Sequence, residues 1–167
     1  MSVTLILLPI ALAAAAAAGG VGALGAALTA HGHDGATGSG QAPQVRVRTR
    51  MKDSTLLTAA LTNLGATAID VSRTRVTAEV DGALLTMTLT ENAVWEAHVE
   101  SLDGRDVTVV SATELLQRLD GEYAVMVQQA VAEKIRQRAG SSGFDLVSET
   151  READDTVTMV LNVRAQA

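Results

Sequence analysis

VTLILLPIALAAAAAAGGVGALGAALTA, residues 3–30, runs for 28 positions without a charged side chain. A helix that crosses the hydrocarbon of a bilayer needs ~20 predominantly apolar residues at ~1.5 Å each. The stretch is long enough for that. After His31 the chain carries the charges and turn signals of a water-soluble domain. This reading divides the sequence into an apolar, transmembrane-type helix over residues 1–30, a linker over residues 31–43 and an α+β domain over residues 44–167.

The apolar stretch is uneven. Residues 3–12 are strongly apolar, whereas residues 13–30 are mostly Ala and Gly, which favour insertion only weakly. Gly19, Ala23 and Ala27 stand four apart, as do Ala18, Gly22 and Ala26. A helix with these spacings has small-residue faces through which helices approach closely in lipid, although an alanine-rich span also produces them by composition alone. Gly19-Gly20 is a natural break in such a helix.

Working outward, no Lys or Arg precedes the stretch, which disfavours a cleaved signal peptide with a basic leading region. Arg46, Arg48, Arg50 and Lys52 follow it, and excess positive charge within ~15–20 residues of a span marks the cytoplasmic side. The expected topology is a single-pass membrane protein with its domain in the cytoplasm. A cleaved leader, a segment packed against protein in an assembly and a segment that inserts as an effector are the alternatives. Residues 31–43, HGHDGATGSGQAP, have linker composition without periodicity. His31, His33 and Asp34 are metal-ligand types there, but a flexible tract offers them no preformed site.

The net charge of −6 lies entirely beyond residue 30, and the only aromatics are Trp95, Tyr123 and Phe144. An acidic domain so poor in stacking side chains is not built as a general nucleic-acid binder. The chain has no cysteine, which excludes disulfides, thiolate nucleophiles and cysteine-ligated metals.

From Val45 the pattern turns regular. Val45, Val47, Thr49 and Met51 alternate with Arg46, Arg48 and Arg50, the period-two signature of a half-buried strand. Asp53 is placed to cap a helix through Leu64, and Gly65 to stop it. A strand is expected over residues 68–72. Asp81-Gly82, between alternating apolar residues, is a strong hairpin signal. Further strands are expected over residues 94–100 and 106–110. Ser111 and Glu114 form a capping box that opens a long helix to Ala139. Its apolar residues Leu115, Leu116, Leu119, Tyr123, Met126, Val127, Ala130, Val131 and Ile135 are spaced as one continuous stripe. A last hairpin follows over residues 144–149 and 156–164. The expected fold is α+β, a mostly antiparallel sheet with two helices packed on one face; two β-α-β halves sharing one sheet are the alternative.

Alternation places Glu96, His98 and Glu100 on one face of a strand, opposite Trp95, Ala97 and Val99. Carboxylates beside an imidazole can support acid–base or cation chemistry, but the solvent face of any antiparallel strand has the same composition. Arg46, Arg48 and Arg50 are candidate contacts for anionic lipid headgroups or an acidic partner. No catalytic, cofactor or metal motif is present, and an enzyme is not expected.

Several stretches together resemble the Ycf35-like family of domains of unknown function. They are Asp53-Ser54-Thr55-Leu56-Leu57 with Asn63-Leu64-Gly65, the strand carrying Trp95, Leu119-Asp120-Gly121-Glu122-Tyr123-Ala124, and Gly143-Phe144. The similarity spans residues 45–164, is diffuse and contains no catalytic signature. The apolar N-terminal segment and the scarcity of aromatics depart from that family. The resemblance implies an α+β domain that works beside a protein partner, an AAA+ ATPase. The expected function is therefore a membrane-anchored, non-enzymatic interaction module that binds membrane lipid and a protein partner and assembles as a homo-oligomer. The alternative is a membrane-inserting oligomeric effector, pore-forming or leak-inducing, whose N-terminal segment the domain controls.

Overall fold

A computed structural model describes residues 2–8, 45–103 and 107–164. Their order is β1 (Ser2–Leu7), β2 (Val45–Arg48), α1 (Ser54–Asn63), β3 (Thr67–Val71), β4 (Arg75–Val80), β5 (Ala83–Leu89), β6 (Trp95–Ser101), α2 (Val109–Ala139), a 3₁₀ turn (Gly140–Ser142), β7 (Phe144–Arg151) and β8 (Val157–Val163). The protein is α+β, with two antiparallel sheets. Two compact units divide it within α2. One holds residues 45–103 and 107–123; the other holds residues 2–8 and 124–164.

The first unit is built on a five-stranded sheet in the order β2-β6-β5-β4-β3. Local chemistry sets its outline. The Asp53 carboxylate accepts from Thr55 N at 2.8 Å and Leu56 N at 3.0 Å, capping α1 as expected. Gly65, at φ +84°, closes α1: Ala66 N donates to Leu61 O and Gly65 N to Thr62 O. Asp81 and Gly82 both take positive φ, the requirement of a two-residue hairpin turn between β4 and β5. In register, Val47, Ala97, Met87 and Val76 make one buried row across four strands. Trp95, Leu85, Val99 and Ala78 extend that face, and Leu57, Ala60 and Leu61 of α1 with Leu115, Leu116 and Leu119 of α2 complete the core.

The second unit is a three-stranded sheet, β1-β8-β7, with the second half of α2. Ala132, Val157 and Met159 are its buried centre, and Leu5, Leu7 and Ile135 pack against them. β1 runs antiparallel to β8, with Leu5 opposite Met159 and Leu7 opposite Val157. A bulge between Leu146 and Ser148 shifts the register of β7 against β8.

Three expectations are corrected. The strands form two sheets, because the last hairpin pairs with β1 instead of extending the meander. Ser2–Leu7, expected as the start of an apolar helix, is a strand. Short apolar runs carry no periodicity that separates helix from strand, and Pro9 biases Leu8 away from helix. No helix among the described residues is long and apolar enough to cross a membrane; residues 9–44 lie outside the described residues. Finally, Val109 and Val110 are helical, so the cap of α2 lies upstream of the expected box. Thr108 Oγ1 accepts from Ser111 N at 3.1 Å, and Ser111 Oγ donates to Thr108 O at 3.0 Å.

Candidate functional site

The outer face of the five-stranded sheet gathers two sets of polar residues that period-two reading placed on separate strands. Arg46 stands opposite His98, and Arg48 opposite Glu96. Glu96 is the hub of this group. Its carboxylate lies 3.4 Å from Arg46 Nε, 4.0 Å from Arg48 Nε and 3.4 Å from His98 Nε2. Two guanidinium groups therefore compete for the charge that a cation would need. Glu100 lies farther along the strand, opposite Leu84. Among the described residues no group of three His, Asp or Glu side chains is disposed to hold a metal ion. What the face offers is charge on an edge strand: the Arg46 and Arg48 side chains are 64% and 76% exposed, and among the described residues β2 has a neighbour on one side only.

Arg50 does not share that face. Its guanidinium grips Asp120 on α2 with two parallel bonds, Nε to Oδ1 at 2.9 Å and Nη2 to Oδ2 at 2.8 Å. Asp120 is buried, and one turn on, the Tyr123 hydroxyl accepts from Lys52 N at 3.1 Å and Asp53 N at 3.0 Å. The segment Asp120-Gly121-Glu122-Tyr123 thus pins the chain between β2 and α1. Alternation flagged Arg50 as a surface cation; no signal in the sequence linked it to a partner 70 positions away.

A pocket of about 400 Å³ lies beside the β4–β5 turn and the start of α2, lined by Val80, Gly82, Val99, Ser111, Leu115 and Arg118 among others. Arg118 pairs with Asp81 at 2.6 Å, and the Ser101 hydroxyl donates to Asp103 at 2.6 Å. Two of the charged or polar pairs of its lining are thereby bonded to each other.

The second unit contains a junction that sequence reasoning missed. Gln128 on α2 is buried, and its Nε2 donates to Leu7 O at 2.8 Å and Asp155 O at 2.6 Å. One side chain thereby ties the end of β1 to the turn between β7 and β8. Its Oε1 is buried and has no hydrogen-bond partner among the described residues. Farther along α2, Arg136 reaches Glu149 of β7 through two bonds, at 2.8 and 2.5 Å, and Glu133 at 2.6 Å. Its guanidinium holds both carboxyls below the usual range. Arg164 does the same for Asp145, and the Thr156 backbone N–H for Asp154.

Gly19, Gly22, Ala23, Ala26 and Ala27, the expected helix-packing positions, lie outside the described residues, as do His31, His33 and Asp34. Compared with known protein families, curated proteins and solved structures, the chain matches none.

Proposed function

We propose that the chain is a membrane-associated, non-enzymatic interaction and assembly module. Its apolar run engages lipid, and its α+β part meets a protein partner on the cytoplasmic side. The observation that carries this reading is the pairing of β1 with β8. It ties the first residues of the charge-free run, residues 3–30, to folded structure, while β2 follows the run after a short polar stretch. An apolar run held between two folded elements is coupled to both.

The exposed Arg46 and Arg48 support the orientation, since they lie on the first strand after the run, where headgroups and positive-inside bias act. The same edge strand is available for self-assembly or for an added strand of a partner. An AAA+ ATPase is the partner that the Ycf35-like resemblance implies. The second reading, a membrane-inserting effector, draws on the same pairing, because a domain that holds β1 controls when the run is free to insert.

Flotation with anionic liposomes tests the reading. Cutting off the N-terminus would also strip a strand from a sheet, so the comparison uses full-length protein and a Leu12→Lys/Leu24→Lys variant. Each lysine near the centre of a span costs ~2.5–3.5 kcal/mol of insertion free energy. The native chain is expected to float and resist alkaline extraction, and the variant to remain at the bottom. Equal behaviour of the two would remove the membrane from the account.

A further inference from the structure

We infer that the open edge of β2 takes up an extended segment of a partner protein as an added strand, one with acidic side chains flanking an apolar one. The inference rests on the interaction-module reading above and names the chemistry of the partner's segment.

The backbone supplies the first half of the argument. β2 is the outer strand of its sheet, and among the described residues it pairs with β6 alone. Thr49 N donates to Trp95 O at 3.2 Å, which sets the phase of the ladder between the two segments. In an antiparallel ladder, residues of one parity turn their N–H and C=O groups toward the neighbour, and those of the other parity turn them away. Val45 and Val47 share the parity of Thr49 and stand opposite Val99 and Ala97. Arg46 and Arg48 therefore direct two N–H donors and two carbonyls to the open edge. Such a row is a template for one more strand.

The side chains select its occupant. Arg46 and Arg48 lie on the outer face, largely exposed, and the carboxylate beside them, Glu96, is shared by both guanidinium groups and His98. Val47, between them, is buried on the opposite face in the row with Ala97, Met87 and Val76. A strand laid on this edge sets one residue beside each arginine and a third beside Val47. Carboxylates at the first two positions each meet a cation, and an apolar residue at the third lengthens the buried row. A second copy of β2 is excluded by the same rule. Paired about a twofold axis at Val47, it would set Arg46 of each copy opposite Arg48 of the other, with like charges directly opposed.

Fluorescence anisotropy of labelled peptides titrated with the full chain tests the site. The probe is a capped Thr-Glu-Val-Glu-Thr peptide. One control carries lysine for each glutamate, and the other carries a methyl group on both glutamate backbone nitrogens. The acidic probe is expected to bind at least ~10-fold more tightly than either control. The Arg46→Gln/Arg48→Gln variant, which puts no like charge beside Glu96, should bind the acidic and lysine probes equally. Equal binding of those two probes by the native chain overturns the charge selection. Undiminished binding of the methylated probe overturns strand addition and leaves a surface charge contact. Binding of no probe overturns the site; if the native chain then sediments with anionic liposomes and the glutamine variant does not, the arginines serve a lipid surface. The interaction-module reading is judged apart from all of these, by flotation of the full-length protein.

Discussion

Asp120 shows how far a single residue's role can lie from its sequence neighbours. Buried on α2, it takes both bonds of Arg50, and Tyr123 receives two backbone N–H groups from the same turn. Charge-assisted bonds contribute ~1.5–3 kcal/mol each, and Arg50 is partly exposed, which lowers the value by solvent screening. Asp120→Ala is expected to destabilise the first unit by ~1–3 kcal/mol, read as a lower urea midpoint. No change would mean that the pair is a surface contact only. Gln128→Ala removes both donors that fasten β1 and is expected to cost the second unit ~1–3 kcal/mol. Amide exchange should then accelerate first at β1 and the 152–156 turn. Acid acts at this scale too. Glu133, Asp145, Glu149 and Asp154 all belong to the second unit, and all are held below the ordinary carboxylate range. A depressed carboxyl contributes stability that is full above its unfolded value of ~4 and is lost as pH falls through the folded value. Exchange at β7 and β8 is therefore expected to rise below pH ~4, with Glu149→Gln flattening the dependence. An acid response confined to the first unit would contradict this.

Among the elements, α2 departs most from its sequence pattern. The apolar spacing reads as one stripe from Leu115 to Ile135, yet Val127, Ala130 and Val131 are exposed, whereas Gln128, Ala132 and Ala139 are buried. The helix serves two cores in succession, and its buried face turns between Tyr123 and Gln128. A periodic count cannot register that turn, because both faces carry small apolar residues there. The two accounts separate in one substitution. Val131→Glu should leave stability within ~0.5 kcal/mol of the native chain, as at other surface positions, whereas a stripe buried throughout predicts a loss of several. By contrast, α1 and the β4–β5 hairpin were legible from local chemistry. Asp53, Gly65 and Asp81-Gly82 act within four residues of themselves, through caps and positive φ. β1 was illegible for the opposite reason. Its partner lies about 155 positions away in β8, and nothing within a short apolar run announces a distant pairing.

At the scale of the whole molecule, the sequence disclosed the fold class and the polar face of the five-stranded sheet. Period-two alternation placed Arg46 with Arg48 on one strand face and Glu96 with His98 on another, and the pairing of β2 with β6 brings the two sets together. It left hidden the division into two units, the Asp120 and Gln128 junctions, and the capture of the N-terminus by a sheet, all of which depend on contacts between remote positions. That capture is the hinge of the account, because it makes the folded part the holder of the apolar run. The most direct test is protease mapping in spheroplasts of cells producing the chain with a C-terminal tag, with blotting to report size. The account predicts a full-size band that pellets with membranes and stays protected until the cells are lysed. A band digested in intact spheroplasts, or one shortened by ~3 kDa as a cleaved leader of ordinary length would leave it, would contradict a retained membrane segment with a cytoplasmic domain.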